Sequence, residues 1–460
     1  YAFVAGRDTE ALLLSLSLPS LSNRQWYWDT ERRVVTESVI GSSDITMTYG
    51  NLVTEVATQD GVKRRHSHND NGTIQRFDDG NGGITTYQYD SEGRRTQMTD
   101  RIGRIYKWTY ASGSFKVATI TRPDDAEFVY TYEPHSSSAG VAFYDVRRID
   151  KPDTTYVTAT YDNFGNRLTF VDEALNTWTW TYNPEGQVVT ETNPESGTTT
   201  YVYWSHGALQ DIVDHFGNAT RFLYDSYRRL TTIEFPDLSR RVFELNDRGD
   251  ISKVTTELGE AYEYTYDENG VVIQLMSSSG EYVRLERDGQ GKLTRVVRPG
   301  ENGEAFTNAT YDTLGRLATV TRPGDSAMQF GYNPIGQLQN ITDQAAETWT
   351  VNRDAENTLK SIDPPGEDIV TFDNSSNAQK INTKVTAGNE RMEVGIDSMN
   401  RVTSAMNALE ELTGFERDAR GLVTGVARPA PEPGVVVKTG YEHDALGNVT
   451  KKTDPEGGVW

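Results

Sequence analysis

Hydrophobic and polar positions alternate along most of the chain with the two-residue period of β-strands. Aromatic residues recur at alternate positions, as in Trp180/Tyr182 and Tyr264/Tyr266. A two-residue period places such rings on one face of a strand and the intervening residue, here Thr265, on the other. No window shows a sustained 3.6-residue apolar period, which is the mark of an amphipathic helix. The pattern therefore predicts an all-β protein in which helices are few.

The alternating runs belong to a repeat of the form Tyr-Asp-x-x-Gly-Arg/Asn/Gln-Leu/Val. Eighteen copies align, and eleven of the seventeen intervals between them are 21 residues. The clearest copies begin at Tyr89, Tyr161, Tyr182, Tyr266, Tyr311 and Tyr332. Weaker copies begin at His68, Tyr110, Phe143, Tyr203, Tyr224, Leu245, Arg287, Arg353, Phe372, Ile396, Arg417 and His443. A fixed period of this kind predicts an array of one repeated structural unit.

Each recurring position of the unit has a mechanical explanation. Gly stands four residues after the Tyr position in twelve of the eighteen copies and tolerates positive φ, which predicts a tight turn. Asn, which also tolerates it, takes this place at Asn357 and Asn400. The Asp after the Tyr position is expected to bond the backbone amides of the turn. The structural positions assigned on this basis are Tyr89, Asp90, Gly93, Tyr161, Asp162, Gly165, Tyr182, Gly186, Tyr266, Asp267, Gly270, Tyr311, Asp312, Gly315, Tyr332 and Gly336.

A second turn is predicted twelve residues after each Tyr position, where strings such as NPESG and DPEGG have β-turn chemistry. One repeat is then strand, turn, strand, turn. Hairpins that share ladder hydrogen bonds form one continuous antiparallel sheet of roughly 36 strands, and accumulated strand twist makes a sheet of that length coil. We assign the array to residues 46–460, with an insertion near residues 133–141. Residues 1–45 form a non-repeat lead whose segment WYWDTERRVV is a first strand or part of a plug.

The unit Y-D-x-x-G-R-L…D-P-x-G…Y-x-Y-D resembles that of the Rhs/YD-repeat family. This family includes bacterial Rhs polymorphic toxins, the C subunits of insecticidal Tc toxin complexes and the animal teneurins. The resemblance covers about residues 46–460 and implies a spiral β-sheet shell, of which this chain is a segment. In bacterial members the shell encloses a C-terminal toxin, and in teneurins it forms an extracellular adhesion scaffold. The family's cleavage segment, with its pair of Asp residues, has no match here, so no proteolytic residue is carried over.

Composition and charge narrow the classes of partner. The formal net charge of −22 disfavours nucleic acid and anionic membrane surfaces, because both attract basic proteins. The absence of Cys excludes disulfides and thiolate sites. The most apolar run, Ala11–Leu18, is too short to span a bilayer and lacks a basic segment before it, so no signal peptide is visible in this segment. Its alternating Leu residues predict a strand.

Candidate catalytic and metal-binding chemistry is sparse. The motifs G-x-S-x-G, G-x-x-x-x-G-K-[ST] and H-E-x-x-H do not occur. His66 and His68 share one strand face, so they form either a metal-binding pair or part of an exposed polar strand. Asn69–Gly72 and Asp267–Gly270 resemble fragments of a calcium loop, but both lack the closing Glu and fall on the repeat turn. The sequence therefore predicts no catalytic residue, no metal and no cofactor.

Three classes of function are compatible with these observations. The favoured one is a non-catalytic shell or scaffold of an Rhs-type polymorphic toxin that encapsulates or carries a C-terminal toxin polypeptide. Its partners would be that polypeptide cargo or the remaining segments of the same shell, and it would be secreted or exported. The alternative is an extracellular or cell-wall-associated adhesion module that binds carbohydrate through its Tyr and Trp rows. A hydrolase borne on the repeats is the third class.

Overall fold

A computed structural model describes most of the chain. The described residues are 2–5, 11–18, 21–39, 44–58, 62–80, 82–136, 142–289, 291–301, 303–333, 336–353, 359–366, 369–373, 380–385, 391–432 and 434–460. Within them the regular elements are all strands, which confirms the all-β prediction. No helix long and apolar enough to cross a membrane is present in this described part.

The described residues form 42 strands of a single sheet, rather than the predicted 36 or so. The first fourteen are β1 Ala2–Ala5, β2 Ala11–Leu18, β3 Leu21–Trp28, β4 Val34–Val39, β5 Ile45–Gly50, β6 Val53–Ala57, β7 Lys63–His68, β8 Ile74–Asp78, β9 Ile84–Tyr89, β10 Arg95–Thr99, β11 Ile105–Tyr110, β12 Val117–Thr121, β13 Glu127–Ser136 and β14 Ala142–Asp150. The next fourteen are β15 Tyr156–Tyr161, β16 Arg167–Val171, β17 Thr177–Tyr182, β18 Val188–Thr192, β19 Thr198–Tyr203, β20 Leu209–Val213, β21 Ala219–Tyr224, β22 Leu230–Glu234, β23 Arg240–Leu245, β24 Ile251–Thr255, β25 Ala261–Tyr266, β26 Val272–Ser277, β27 Tyr282–Arg287 and β28 Leu293–Gly300. The last fourteen are β29 Gly303–Tyr311, β30 Leu317–Thr321, β31 Met328–Tyr332, β32 Leu338–Thr342, β33 Thr348–Arg353, β34 Leu359–Asp363, β35 Val370–Asp373, β36 Lys380–Val385, β37 Arg391–Ile396, β38 Val402–Met406, β39 Leu412–Arg417, β40 Val423–Pro429, β41 Val436–His443 and β42 Val449–Thr453.

Each strand pairs in antiparallel fashion with its neighbours in the chain. In the strands β16 to β19, for example, Thr169 faces Thr179, Thr179 faces Thr192 and Thr192 faces Thr198. The register shifts by one residue at the Tyr position of most repeats, as between Thr181 and Tyr182 in β17. Such a β-bulge recurs because the repeat places it at the same offset each time.

The chain divides into two compact units. The first comprises Tyr1–Tyr87, Asp100–Ile102 and Leu223–Asp368, and the second comprises Gln88–Thr99, Gly103–Phe222 and Ile369–Trp460. Both units are built from the same antiparallel hairpins, because both contain the same repeat.

The described part of the sheet has little buried core. In β17 the rings of Trp178, Trp180 and Tyr182 are half-buried, and the alternating Thr residues are exposed. Globular domains usually bury one face of a sheet against a second layer. Among the described residues, the buried apolar side chains are only Ala126, Ala159, Val297 and Ile396. Stability must therefore come mainly from ladder hydrogen bonds and from cross-strand side-chain contacts.

The boundary predicted at residue 45 does not mark a change of structure. Strand β3 pairs with β4, β4 pairs with β5, and Trp28 faces Val34 across a hairpin of the repeat type. The segment WYWDTERRVV is therefore a repeat in the sheet rather than a plug. Sequence comparison missed it because Trp28 stands at the Tyr position and Arg32, with φ of 64°, stands at the usual Gly position.

The weak copy assigned to Phe143 is also misplaced. Phe143 lies in the returning strand β14, where it faces His135. Tyr132 takes the repeat position instead, because its hydroxyl donates to the Val117 carbonyl at 2.7 Å, as the other repeat tyrosines do. The hairpin β13–β14 is longer than its neighbours, which hid the register. Residues 137–141 of the predicted insertion lie outside the described residues.

Candidate functional site

The repeated turn is the feature that the sequence singled out, and nearly all of its described copies share one geometry. In the turn after Tyr161, the N–H of Gly165 donates to the Asp162 carbonyl at 3.1 Å, and the N–H of Asp162 donates to the Asn166 carbonyl at 2.9 Å. This is a type I turn closed by a residue in the left-handed region, a common way of joining antiparallel strands. The glycines assigned to this place have φ of 78° (Gly93), 84° (Gly165), 79° (Gly186), 82° (Gly270), 78° (Gly315) and 81° (Gly336). Asn400 has φ of 62°, and Asn357 lies outside the described residues.

The carboxylate after the Tyr position caps this turn. Asp267 Oδ1 accepts the N–H of Asn269 at 2.8 Å and the N–H of Val271 at 2.9 Å. The hydrogen bond from Val271 is the largest cause of the lowered pKa of Asp267; the Asn269 N–H adds to it, and partial burial opposes it. The pairs of amides bonded by the other assigned carboxylates are Glu92 and Arg94 by Asp90, Phe164 and Asn166 by Asp162, and Leu314 and Arg316 by Asp312.

In many turns the residue four positions after the cap is matched to it chemically, whereas an apolar residue takes this place in others, as Val271 does after Asp267. A carboxylate only accepts hydrogen bonds, and its partner is a donor: Asp312 Oδ2 accepts from Arg316 Nε at 2.7 Å. An Asn cap also donates, and it pairs with an acceptor: Asn333 Nδ2 donates to Gln337 Oε1 at 3.2 Å. Further donor pairs are Asp29–Arg33, Asp90–Arg94, Asp225–Arg229, Asp397–Arg401 and Asp162–Asn166, and further acceptor pairs are Asn183–Gln187, Asn246–Asp250 and Asn407–Glu411. Sequence reasoning missed this complementarity, although the two positions can be compared directly across the repeats.

The Tyr of each repeat links it to the preceding repeat. The Tyr182 hydroxyl donates to the Arg167 carbonyl at 2.8 Å, fifteen residues earlier. Arg167 faces Tyr161 at the bulge, where the regular ladder is interrupted, so the hydroxyl supplies a donor at a weak point of the ladder. The same bond runs from Tyr161 to Val146, Tyr203 to Val188, Tyr266 to Ile251 and Tyr332 to Leu317, and after a longer interval from Tyr311 to Leu293.

The second turn of the repeat has the same geometry as the first, which the sequence did not reveal. Asp172 Oδ1 accepts the N–H groups of Ala174 and Asn176, both within 2.9 Å, and Leu175 has φ of 66°. A residue with a Cβ in the left-handed region carries a strain of about 1 kcal/mol or more. Several second turns accept this strain: the positive-φ residues there include Asp125, Thr154, Ser196, Leu238, Ala346 and Glu410.

The side chains of the histidine and calcium-like segments are engaged in other contacts. The His66 ring packs against Phe77 with centroids 4.8 Å apart, and His68 contacts Thr54 and the Gly72 carbonyl through its two ring nitrogens. In Asn69–Gly72 and Asp267–Gly270, the cap oxygen is engaged by turn amides. Among the described residues, no group of three or more His, Asp or Glu side chains is placed to hold a metal ion.

Two hairpin ends that are distant in the chain meet within the second unit. Arg401 Nη2 lies 2.9 Å from Asp153 Oδ2, across 248 positions of sequence. Arg122 donates to the Ser398 carbonyl in the same place. We call this contact, formed by Arg122, Asp153, Asp397, Ser398 and Arg401, the seam. No sequence signal predicts it, because each of its residues also belongs to an ordinary repeat turn.

A family model described as Teneurin YD-shell matches residues 29–235. The match begins at Asp29, the cap of the turn in the segment WYWDTERRVV. The recurring Tyr-Asp turns of the structure extend the same unit through the rest of the described chain. Residues 29–235, a little less than half of the chain, are therefore similar to a YD-shell. The resemblance drawn from the repeat is thereby confirmed.

Other proteins resemble this YD-repeat chain over part of their own length. The tRNA3(Ser)-specific nuclease WapA of Bacillus spizizenii is 26% identical over 271 residues, which are 50% of this chain and 11% of WapA. The solved structure of TcdB2-TccC3 has a TM-score of 0.47 and 12% identity, and the match covers 95% of this chain and 30% of that one. The Tc holotoxin pore of Photorhabdus luminescens has a TM-score of 0.46 at the same identity and coverage. The matches therefore cover about a tenth to a third of these three proteins.

Proposed function

We propose that this chain is a non-catalytic wall segment of an Rhs-type toxin shell, which encapsulates or carries a toxin polypeptide in an exported protein. The observation that carries the proposal is the use of polar side chains in the repeat. Carboxylates that resemble catalytic groups, such as Asp267 and Asp312, accept hydrogen bonds from their own turns. The tyrosine hydroxyls bond to neighbouring repeats. These groups hold a sheet together, as a wall requires.

The partner in this proposal is a polypeptide rather than a small molecule. A wall needs two faces of different character, and alternation supplies them: Tyr264 and Tyr266 are half-buried on one face, and Thr265 is exposed on the other. The name of WapA describes a nuclease, but the match covers 11% of that protein, so nuclease activity is not assigned to this chain. We propose that the catalytic function of the complete protein belongs to the carried polypeptide.

Limited proteolysis of the full-length gene product tests the proposal. The carried polypeptide should resist protease while the repeats are folded and become sensitive when urea unfolds them. The matched control is the same polypeptide fused to an unrelated folded carrier, which should leave it sensitive throughout. If the passenger is digested at the same rate in both proteins while the repeats stay folded, the container function is wrong.

One observation favours the adhesion alternative. Aromatic rings stand exposed at turn tips: the exposed fractions are 85% for Phe164, 77% for Phe216 and 79% for Tyr227. An exposed ring can stack on the apolar face of a sugar. A glycan array separates the two functions, since an adhesion module should bind a defined glycan and lose that binding in Tyr227→Ala or Phe216→Ala. A wall segment should bind none.

A further inference from the structure

We propose that the seam is a releasable latch. It holds two sets of hairpin ends together and opens before any hairpin unfolds. It joins the turn Asp397–Arg401 to the second turns that contain Arg122 and Asp153. As part of the proposed wall, the seam is the place where the wall opens; that statement rests on the proposed function, whereas the latch itself does not.

The contacts across the seam are made by side chains and not by a β-ladder. Strand β12 pairs with β13, β14 pairs with β15 and β37 pairs with β38, so each strand beside the seam keeps its partners within its own hairpins. Among the described residues, the polar contacts across the seam are the Arg401–Asp153 ion pair and the bond from Arg122 to the Ser398 carbonyl. Separating the two sets of hairpin ends therefore breaks no ladder hydrogen bond in these strands.

Packing at the seam is open and polar. A cleft of about 490 Å³ lies between the two sets of hairpin ends. Its lining includes the charged residues Asp124, Glu127, Lys151 and Asp397 and the apolar residues Ala126 and Pro152. Apolar burial and close packing provide most of the cohesion between protein surfaces. With so little of either, the ion pair is the main attachment. It is only partly shielded from water, since the side chains of Arg401 and Asp153 are 26% and 15% exposed.

Asp153 allows the latch to be tested without damage to its turn. Its Oδ1 accepts the N–H of Thr155 at 3.2 Å and the Thr155 hydroxyl at 2.6 Å, and its Oδ2 faces Arg401. Asp153→Asn keeps an oxygen for Thr155 and removes the charge that attracts Arg401 across the seam. Arg401 retains its bond to Asp397 in its own turn, at 2.7 Å.

The distance across the seam can be measured with two spin labels, because the chain contains no Cys. Glu127→Cys and Ser398→Cys place labels on exposed residues that line opposite sides of the cleft. The full chain should give one short distance. Adding Asp153→Asn should raise the ratio of long to short distances about tenfold, the usual scale for a partly buried ion pair. Hydrogen exchange in β14, β15, β37 and β38 should stay unchanged, which separates a latch from a structural support.

Arg316→Met is the matched control, because Arg316 makes the same bond to the cap of its own turn but has no seam partner among its contacts. It should leave the label distance unchanged. The latch is wrong if Asp153→Asn leaves the distances unchanged, or if it lowers protection throughout the neighbouring hairpins. If the labels separate while a passenger in the full-length protein stays resistant to protease, the latch stands and its role in opening the wall fails.

Discussion

The guanidinium of Arg316 lies 4.6 Å from the ring centre of Tyr332, one repeat further along the chain. Its Nε also donates to Asp312 Oδ2 at 2.7 Å in its own turn. One side chain thus joins the cap of one repeat to the Tyr of the next. The hydroxyl of that Tyr donates to the Leu317 carbonyl of the preceding repeat at 2.8 Å. Arg94 over Tyr110 and Arg33 over Tyr49 repeat the arrangement. Stability in this chain is therefore a property of neighbouring repeats taken together.

The pairing of caps with their partners predicts a rescue by double substitution. Asp312→Asn places an amide donor opposite the guanidinium of Arg316, so it should destabilise the local hairpin by about 1 kcal/mol. Adding Arg316→Gln recreates the Asn–Gln pair of the next repeat, Asn333–Gln337, and should recover about half of that loss. Urea unfolding and hydrogen exchange in β29 and β30 measure both effects. Equal stability of the single and double variants would contradict the pairing rule.

The hydrogen bond from the repeat Tyr to the preceding repeat predicts a local loss of stability when its hydroxyl is removed. Tyr182→Phe deletes the bond to the Arg167 carbonyl and should lower the free energy of unfolding by about 0.5–1.5 kcal/mol. The loss should appear as faster hydrogen exchange in β16 and β17, and repeats further along should be unaffected. Tyr227→Phe serves as the control, because that ring is 79% exposed at a turn tip. A similar effect in both variants would mean that the bond from Tyr182 to the Arg167 carbonyl makes no specific contribution to stability.

Turn conformation predicts opposite effects for two substitutions at positive φ. Gly93 has φ of 78°, and a Cβ there would meet no atom within 4 Å, so Gly93→Val tests backbone strain alone and should cost about 1–2 kcal/mol. Leu238 has φ of 70° and is exposed, so Leu238→Asn should stabilise its turn by about 0.5 kcal/mol, because Asn tolerates this region better. Thermal unfolding compares the two, and a loss of stability in Leu238→Asn would show that strain is not limiting there.

The capping carboxylates predict a loss of stability in acid. The pKa values of Asp225 and Asp267 lie below the ordinary value of 3.8, with turn amides as the largest cause in each. A carboxyl whose pKa is lowered by folding contributes stability above its unfolded value, and that contribution is lost as pH falls through the folded value. The urea midpoint should therefore be level near neutral pH and fall below about pH 4. Asp267→Asn, which keeps an acceptor oxygen but has no charge to lose, should show a smaller fall.

The sequence by itself determined the repeat, its two strands and the position of its first turn. Those features depend on residues close together in the chain: alternation defines the strands, and Asp with Gly three residues later, as in Asp162 and Gly165, defines the turn. Local geometry is enough to specify them. The repeat at Asp29 escaped because Trp28 replaces the Tyr and Arg32 replaces the Gly of the same unit.

Only the tertiary structure decided which groups join one repeat to another. The Tyr182 hydroxyl finds the Arg167 carbonyl because a bulge and the strand pairing bring them together. The Arg401–Asp153 pair forms across 248 positions of sequence, where two hairpin ends meet. Each residue of that pair satisfies a local turn as well, so its sequence context is that of any other repeat. Contacts of this kind depend on how twist accumulates over many strands, and no single repeat encodes that.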